Sequence, residues 1–177
     1  MTYLAAQKSL AAHPLPGWFD RAKLGIFVHW GLYSVPAWAP PSGEINTVVA
    51  QKGWKYWFKN NAYAEWYWNS LRLEGSPTQA RHRQVYGDLP YEAFAPRFVE
   101  AAAGWRAETW AALFAQAGAR YAVMVTKHHD GYLLWPSAVR TPRKDGWQSR
   151  RDYGGEFAAA MRAQDIEVGL YYSGGLV

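Results

Sequence analysis

The chain has 177 residues, half of them apolar, so it has the length of one domain and enough apolar side chains for a sizeable core. It has no cysteine, which excludes a disulfide framework, a thiolate metal site and a cysteine nucleophile, and it has no run of 18 apolar residues and no secretory signal pattern. The net charge of +5 comes from scattered basic residues: only Arg140, Arg143, Lys144, Arg150 and Arg151 cluster, they read as a solvated loop, and no nucleic-acid-binding motif accompanies them.

Residues 1–15 show no strong period and read as a short helix or an arm, broken by Pro14, Pro16 and Gly17. Lys23 to Val28 is an apolar run read as the first parallel strand, delivering His29 to its C-terminal end. From Leu32 to about Ala107 no clean crossover helix is seen. A Pro/Gly-punctuated loop covers Val35 to Gly43, and Ala62 to Asn69 opens a short helix in which four of eight residues are aromatic. Tyr86 to Phe98 reads as a loop with a short helical piece limited by Pro90 and Pro96. His13 and His82 fall in segments read as irregular and exposed.

The alternation then becomes regular. Ala107 to Ala117 places Trp110, Leu113, Phe114 and Ala117 on one helical face, with Gly118 as C-cap. Tyr121 to Thr126 is a valine-rich buried strand running into His128, His129, Asp130 and Gly131. Gly155 to Gln164 forms a second helix, with Asp152 as its cap and Phe157, Ala160, Met161 and Gln164 on a face, and Ile166 to Tyr172 is a third strand. The order implies an α/β fold with a parallel sheet and right-handed crossovers. Three strands cannot close a barrel, so the expectation is the N-terminal part of a larger one, one domain over residues 1–177, with an unpaired strand edge and an exposed interior face.

Strand C-terminal ends are where such folds keep their chemistry. His29, His128 and His129 each follow a strand and could converge, since neutral imidazole offers one donor and one acceptor to paired hydroxyls. The alternative for His29 alone is a hydrogen-bonded core histidine. His29, His128, His129 and Asp130 are also competent for zinc or iron, but adjacent histidines on a strand-like backbone tend to point apart and no metal-ligand spacing supports them. The hydroxyl clamp is preferred and no metal or cofactor is expected. Glu65 and Trp66 read as an acceptor and a stacking platform, or as an ordinary helix start. Asp130 reads as structural, bonding loop N–H groups near Gly131. An aromatic content of 17% fits a cleft that stacks on sugar rings, or a Trp-heavy core.

The run Thr126-Lys127-His128-His129-Asp130-Gly131, with Leu134-Trp135-Pro136-Ser137, resembles the signature of the α-L-fucosidases of glycoside hydrolase family 29. The resemblance extends from Pro16-Gly17-Trp18-Phe19 to Tyr171-Tyr172-Ser173-Gly174-Gly175. It implies a (β/α)8 TIM-like barrel, here its first three βα units with a long insertion after strand 1. It also implies a retaining exo-glycosidase removing terminal α-L-fucose from glycoconjugates. By resemblance His29, Glu65, Trp66, His128, His129 and Tyr171 bind the sugar. The nucleophile aspartate and acid/base glutamate are expected beyond Val177, so the chain reads as the recognition half of a site. The alternative is a catalytically inactive carbohydrate-binding remnant. The expected partner is an α-L-fucoside rather than nucleic acid or membrane, in the cytoplasm.

Overall fold

A computed structural model describes residues 4–139, 144 and 146–174. Three parallel strands, β1 (Gly25–Val28), β2 (Tyr121–Lys127) and β3 (Glu167–Tyr172), form one sheet in the order β1-β2-β3. Gly25 pairs with Tyr121 and Tyr121 with Glu167, so the strands start level. Side chains alternate across the pleat. Ile26, Val28, Ala122, Met124 and Val168 pack into one apolar core with helices α7 (Ala107–Gln116) and α8 (Tyr153–Arg162). Phe27, His29 and Tyr171 take the other face, where Phe27 is 47% and Tyr171 37% exposed.

At the start of the sheet the Tyr121 ring lies over β1. A Cβ on Gly25 would meet that ring at 1.9 Å, so only glycine fits there. Trp18 and Phe19 of α2 (Gly17–Ala22) pack on the same ring, at 6.0 and 5.6 Å between centroids. A five-residue helix, α1 (Gln7–Ala11), precedes them.

Between β1 and α7 the chain is more helical than its sequence suggests. A 3-10 turn (Leu32–Ser34) leads to α3 (Ile45–Asn60), a second 3-10 turn (Ala64–Trp66), α4 (Tyr67–Leu71), α5 (Pro77–Tyr86), a third turn (Tyr91–Ala93) and α6 (Phe94–Ala101). Glu44 caps α3 by accepting from the Asn46 and Thr47 amides, and Gly53, at φ 77°, breaks its helical geometry. Ser76 caps α5 with Pro77 at the first helical position. Pro96 does not limit α6: it sits in the first turn, where an amide has no intrahelical acceptor. His82 is neither irregular nor exposed. It lies on α5, buried, between the Tyr67 hydroxyl at 2.9 Å and the Leu89 carbonyl at 2.7 Å.

The buried face of α7 is Ala107, Ala111 and Phe114 with Trp110 beside them. Leu113 and Ala117 are exposed, so the expected stripe is rotated. In α8, Phe157, Ala160 and Met161 are buried as expected while Gln164 lies beyond the helix, and Asp152 caps it by accepting from the Gly155 amide at 2.8 Å. Of the basic cluster, Arg140 and Arg143 lie outside the described residues, and two others are engaged. Lys144 pairs with Glu92 and sits over the Trp68 and Trp147 rings, and Arg151 binds Glu156 and the Trp105 carbonyl. No helix among the described residues is long and apolar enough to cross a membrane.

One irregularity decides where the site faces. β2 carries an extra residue, Thr126, between Val125, which pairs with Tyr171, and Lys127, which pairs with Tyr172. Thr126 donates to the Tyr171 carbonyl at 3.0 Å, and the buried Lys127 ammonium donates to the Ser173 carbonyl. Bulges of this kind re-aim the side chains that follow. After this one, His128 turns to the face of His29 and Tyr171.

Candidate functional site

The six residues singled out in the sequence meet at the C-terminal end of the sheet. His29 leaves β1 with its ring 5.6 Å from that of His128 and 6.4 Å from that of Tyr171. His128 stacks on Tyr171 at 6.1 Å, and the perpendicular ring of His129 lies 4.4 Å from it. The two histidines therefore do not point apart, because both lie past the end of the strand pairing. Trp66 meets the edge of His129 at 4.4 Å and is braced from behind by Trp57 and Phe58 of α3. Glu65, one residue earlier, holds a carboxylate oxygen 4.0 Å from His29 Nε2.

Depth varies across this mouth. His129 and Trp66 are half-buried, His29 and Tyr171 are exposed, and His128 is 5% exposed. Burial drives the His128 pKa down to about 3, helped by the neighbouring His129, His29 and Lys127, so its imidazole is neutral at any ordinary pH. Burial and the Lys127 ammonium lower His129 as well, against the opposing pull of Glu65. His129 Nδ1 has a partner in the Ser173 hydroxyl at 3.1 Å. Among the described residues His128 Nδ1 has none, nor has the buried hydroxyl of Tyr33, whose ring lies 5.7 Å from that of His128. Buried polar atoms without partners are uncommon in folded proteins, and the His128 ring lies beside those of His29, His129 and Tyr171.

Asp130 stands behind this surface. Its Oδ2 accepts from the Tyr91 hydroxyl at 2.8 Å and its Oδ1 from the Tyr132 amide at 3.1 Å, so the expected loop bond is there with a tyrosine from the insertion added. Burial raises its pKa, and the Tyr91 bond works against that rise. The Trp147 indole donates to the Asp130 carbonyl at 2.8 Å, holding the loop from the far side.

Sequence reasoning passed over Tyr33, Tyr91 and Ser173 as parts of the site. Tyr33 follows His29 by four residues in a turn, a spacing that carries no period of its own. Tyr91 is visible only through its contact 39 residues away. Among the described residues the group able to hold a metal ion differs from the rival set weighed in the sequence: His29, Glu65 and His128 each offer a ligand atom, all within 4.8 Å of one another, while Asp130 and His129 are outside the group.

Comparison with known proteins adds a second line. The family model described as alpha-L-fucosidase matches residues 1–175. Tissue alpha-L-fucosidase of Rattus norvegicus is 39% identical over 174 residues, covering 93% of this chain and 31% of that protein. The Homo sapiens tissue alpha-L-fucosidase is 38% identical over 172 residues, covering 93% and 30%. Thermotoga maritima alpha-fucosidase in complex with fucose superposes with a TM-score of 0.79 at 43% identity, covering 99% of this chain and 38% of that one. The Lactobacillus casei alpha-L-fucosidase AlfC in complex with its alpha-L-fucose product gives a TM-score of 0.53 at 27% identity, covering 90% and 40%. The chain thus spans roughly a third of the length of the relatives it matches.

Proposed function

The chain belongs to the alpha-L-fucosidase family, and from that premise we propose that its mouth is the fucose-recognition half of an α-L-fucosidase site. The three parallel strands are, on this reading, the first three of a (β/α)8 barrel. The observation that carries the sugar assignment is the convergence of His29, Glu65, Trp66, His128, His129 and Tyr171 at one mouth. Fucose bound in two family members supports the same ligand here.

The chemistry follows from the donors present. A neutral imidazole gives one N–H and one lone pair, so His128 and His129 together can both donate to and accept from neighbouring ring hydroxyls. Glu65 accepts hydroxyl protons, and Trp66 offers an aromatic face for the apolar side of the sugar or its methyl group. Holding the ring this way spends binding energy on orienting the anomeric carbon.

Retention needs two carboxyls about 5–5.5 Å apart across the scissile bond. Asp130 suits neither role, because both its oxygens are engaged and it is buried behind the histidines. Glu65 stands among the sugar-binding groups. We assign the nucleophile and the acid/base to residues carried in the part of the family's length that this chain does not span.

Calorimetric titration of the purified chain with L-fucose, run beside an aryl α-L-fucoside assay, tests this reading. Saturable binding weakened about tenfold by Trp66→Ala, without turnover, is the expected result. Turnover by the chain alone would overturn the assignment of the carboxyls, and no binding by a chain that melts cooperatively would overturn the sugar assignment.

A further inference from the structure

We infer that His29, Glu65 and His128 also form a site for one divalent cation of the zinc type, and that cation and sugar exclude each other. The exclusion rests on the proposed sugar site; the cation site itself does not. One imidazole nitrogen from each histidine and one Glu65 oxygen lie within 4.8 Å of one another, with the His29–Glu65 pair at 4.0 Å. Zinc bound to imidazole and carboxylate at about 2.0–2.2 Å sets its donors roughly 3.3 Å apart. The three atoms need draw in by no more than about 1.5 Å. His29 and Glu65 have room for that, their side chains being 36% and 22% exposed.

His128 is the fixed post of the trio. It is more than nine-tenths buried, hemmed by the rings of Tyr33, Tyr171 and His129, and its Nδ1 lacks a hydrogen-bond partner among the described residues. Two imidazoles and one carboxylate favour zinc and its neighbours over magnesium or calcium, which take oxygen donors. Three protein ligands leave a fourth position open to water, as in zinc sites that exchange their ligands. The donor set is the one assigned to the sugar hydroxyls, so occupancy by the cation removes the hydroxyl contacts.

The test is a titration of the purified chain with zinc chloride against a chromophoric chelator, repeated with L-fucose present and with magnesium chloride in place of zinc. Expected are one zinc per chain, no magnesium binding, a Kd raised at least tenfold by His29→Ala and by Glu65→Gln, and no change in His13→Ala. Circular dichroism melts establish that the variants fold, and Glu65→Gln, at a half-buried position, keeps the test valid if His29→Ala does not. Absence of stoichiometric zinc, or zinc retained in both variants, overturns the site. Zinc that is lost in the variants yet undisturbed by saturating L-fucose upholds the cation site and overturns the sugar placement. Fucose binding without zinc does the reverse.

Discussion

The two faces of the sheet are made by alternate residues of the same strands, yet they do opposite work. On the helix side Ile26, Val28, Ala122 and Met124 close against α7 and α8, and Trp30 continues their row into a cluster with Phe98, Trp105, Trp110 and Tyr153, each 5.1–5.3 Å from its ring. On the other side Phe27 and Tyr171 meet at 5.6 Å and stay exposed, and the polar side chains gather above them. The contrast teaches that burial energy and ligand chemistry are separated here by one step along the backbone. Stability should therefore respond to one set of residues and binding to its immediate neighbours.

The hardest blow to the helix side is Phe157→Ala. This ring is fully buried, and its removal should cost about 3–5 kcal/mol in urea denaturation, with sugar binding lost only as the fold is lost. A cost below 1 kcal/mol would deny that this face carries the stability. Next comes Gly25→Ala, where the new methyl meets the Tyr121 ring and overpacking should cost about 1–3 kcal/mol. Restoration of most of that loss by Tyr121→Ala in the same chain would locate the clash.

On the other face His129→Ala should weaken L-fucose about tenfold, or ~1.4 kcal/mol, while the urea midpoint stays close to that of the parent. A destabilisation as large as that of Phe157→Ala would break the division between the faces. The smallest effect concerns Glu156, whose carboxyl the Arg151 guanidinium holds below the usual glutamate value. A depressed carboxyl contributes stability above its unfolded pKa of about 4.3 and loses it as pH falls through the lower folded value. Glu156→Gln should remove that acid-side decline, by well under ~1 kcal/mol for a pair so close to solvent. An unchanged decline in urea midpoint between pH 5 and 3 would assign it to other carboxyls.

The sheet and the two helices that cover it were legible because their periods are strong. Tyr121 to Thr126 is a continuous apolar run, and α8 shows its face and its aspartate cap. The insertion was not, for physical reasons that differ from helix to helix. In α3 the glycine at position 53 interrupts the period midway. In α5 most exposed positions are polar and the buried ones are Thr78 and His82, so no apolar stripe appears, although Ser76-Pro77 is a start signal in the sequence. The stripe of α7 was misplaced because its inner face is built partly from alanines, which carry little weight against Leu113. The site residues came from the strand ends and the family resemblance together. Tyr33 and Tyr91 needed the fold.

The extra residue in β2 has a consequence for how this sequence can change. A strand is a two-beat rhythm, and Thr126 is a skipped beat that puts the histidines in phase with His29. A change that straightened the strand, so that Thr126 rather than Lys127 paired with Tyr172, would keep every residue of the chain, yet swing His128 toward α8 and Lys127 toward the mouth. The phase in which the strand pairs beyond Val125, as much as the identity of its residues, therefore aims the chemistry.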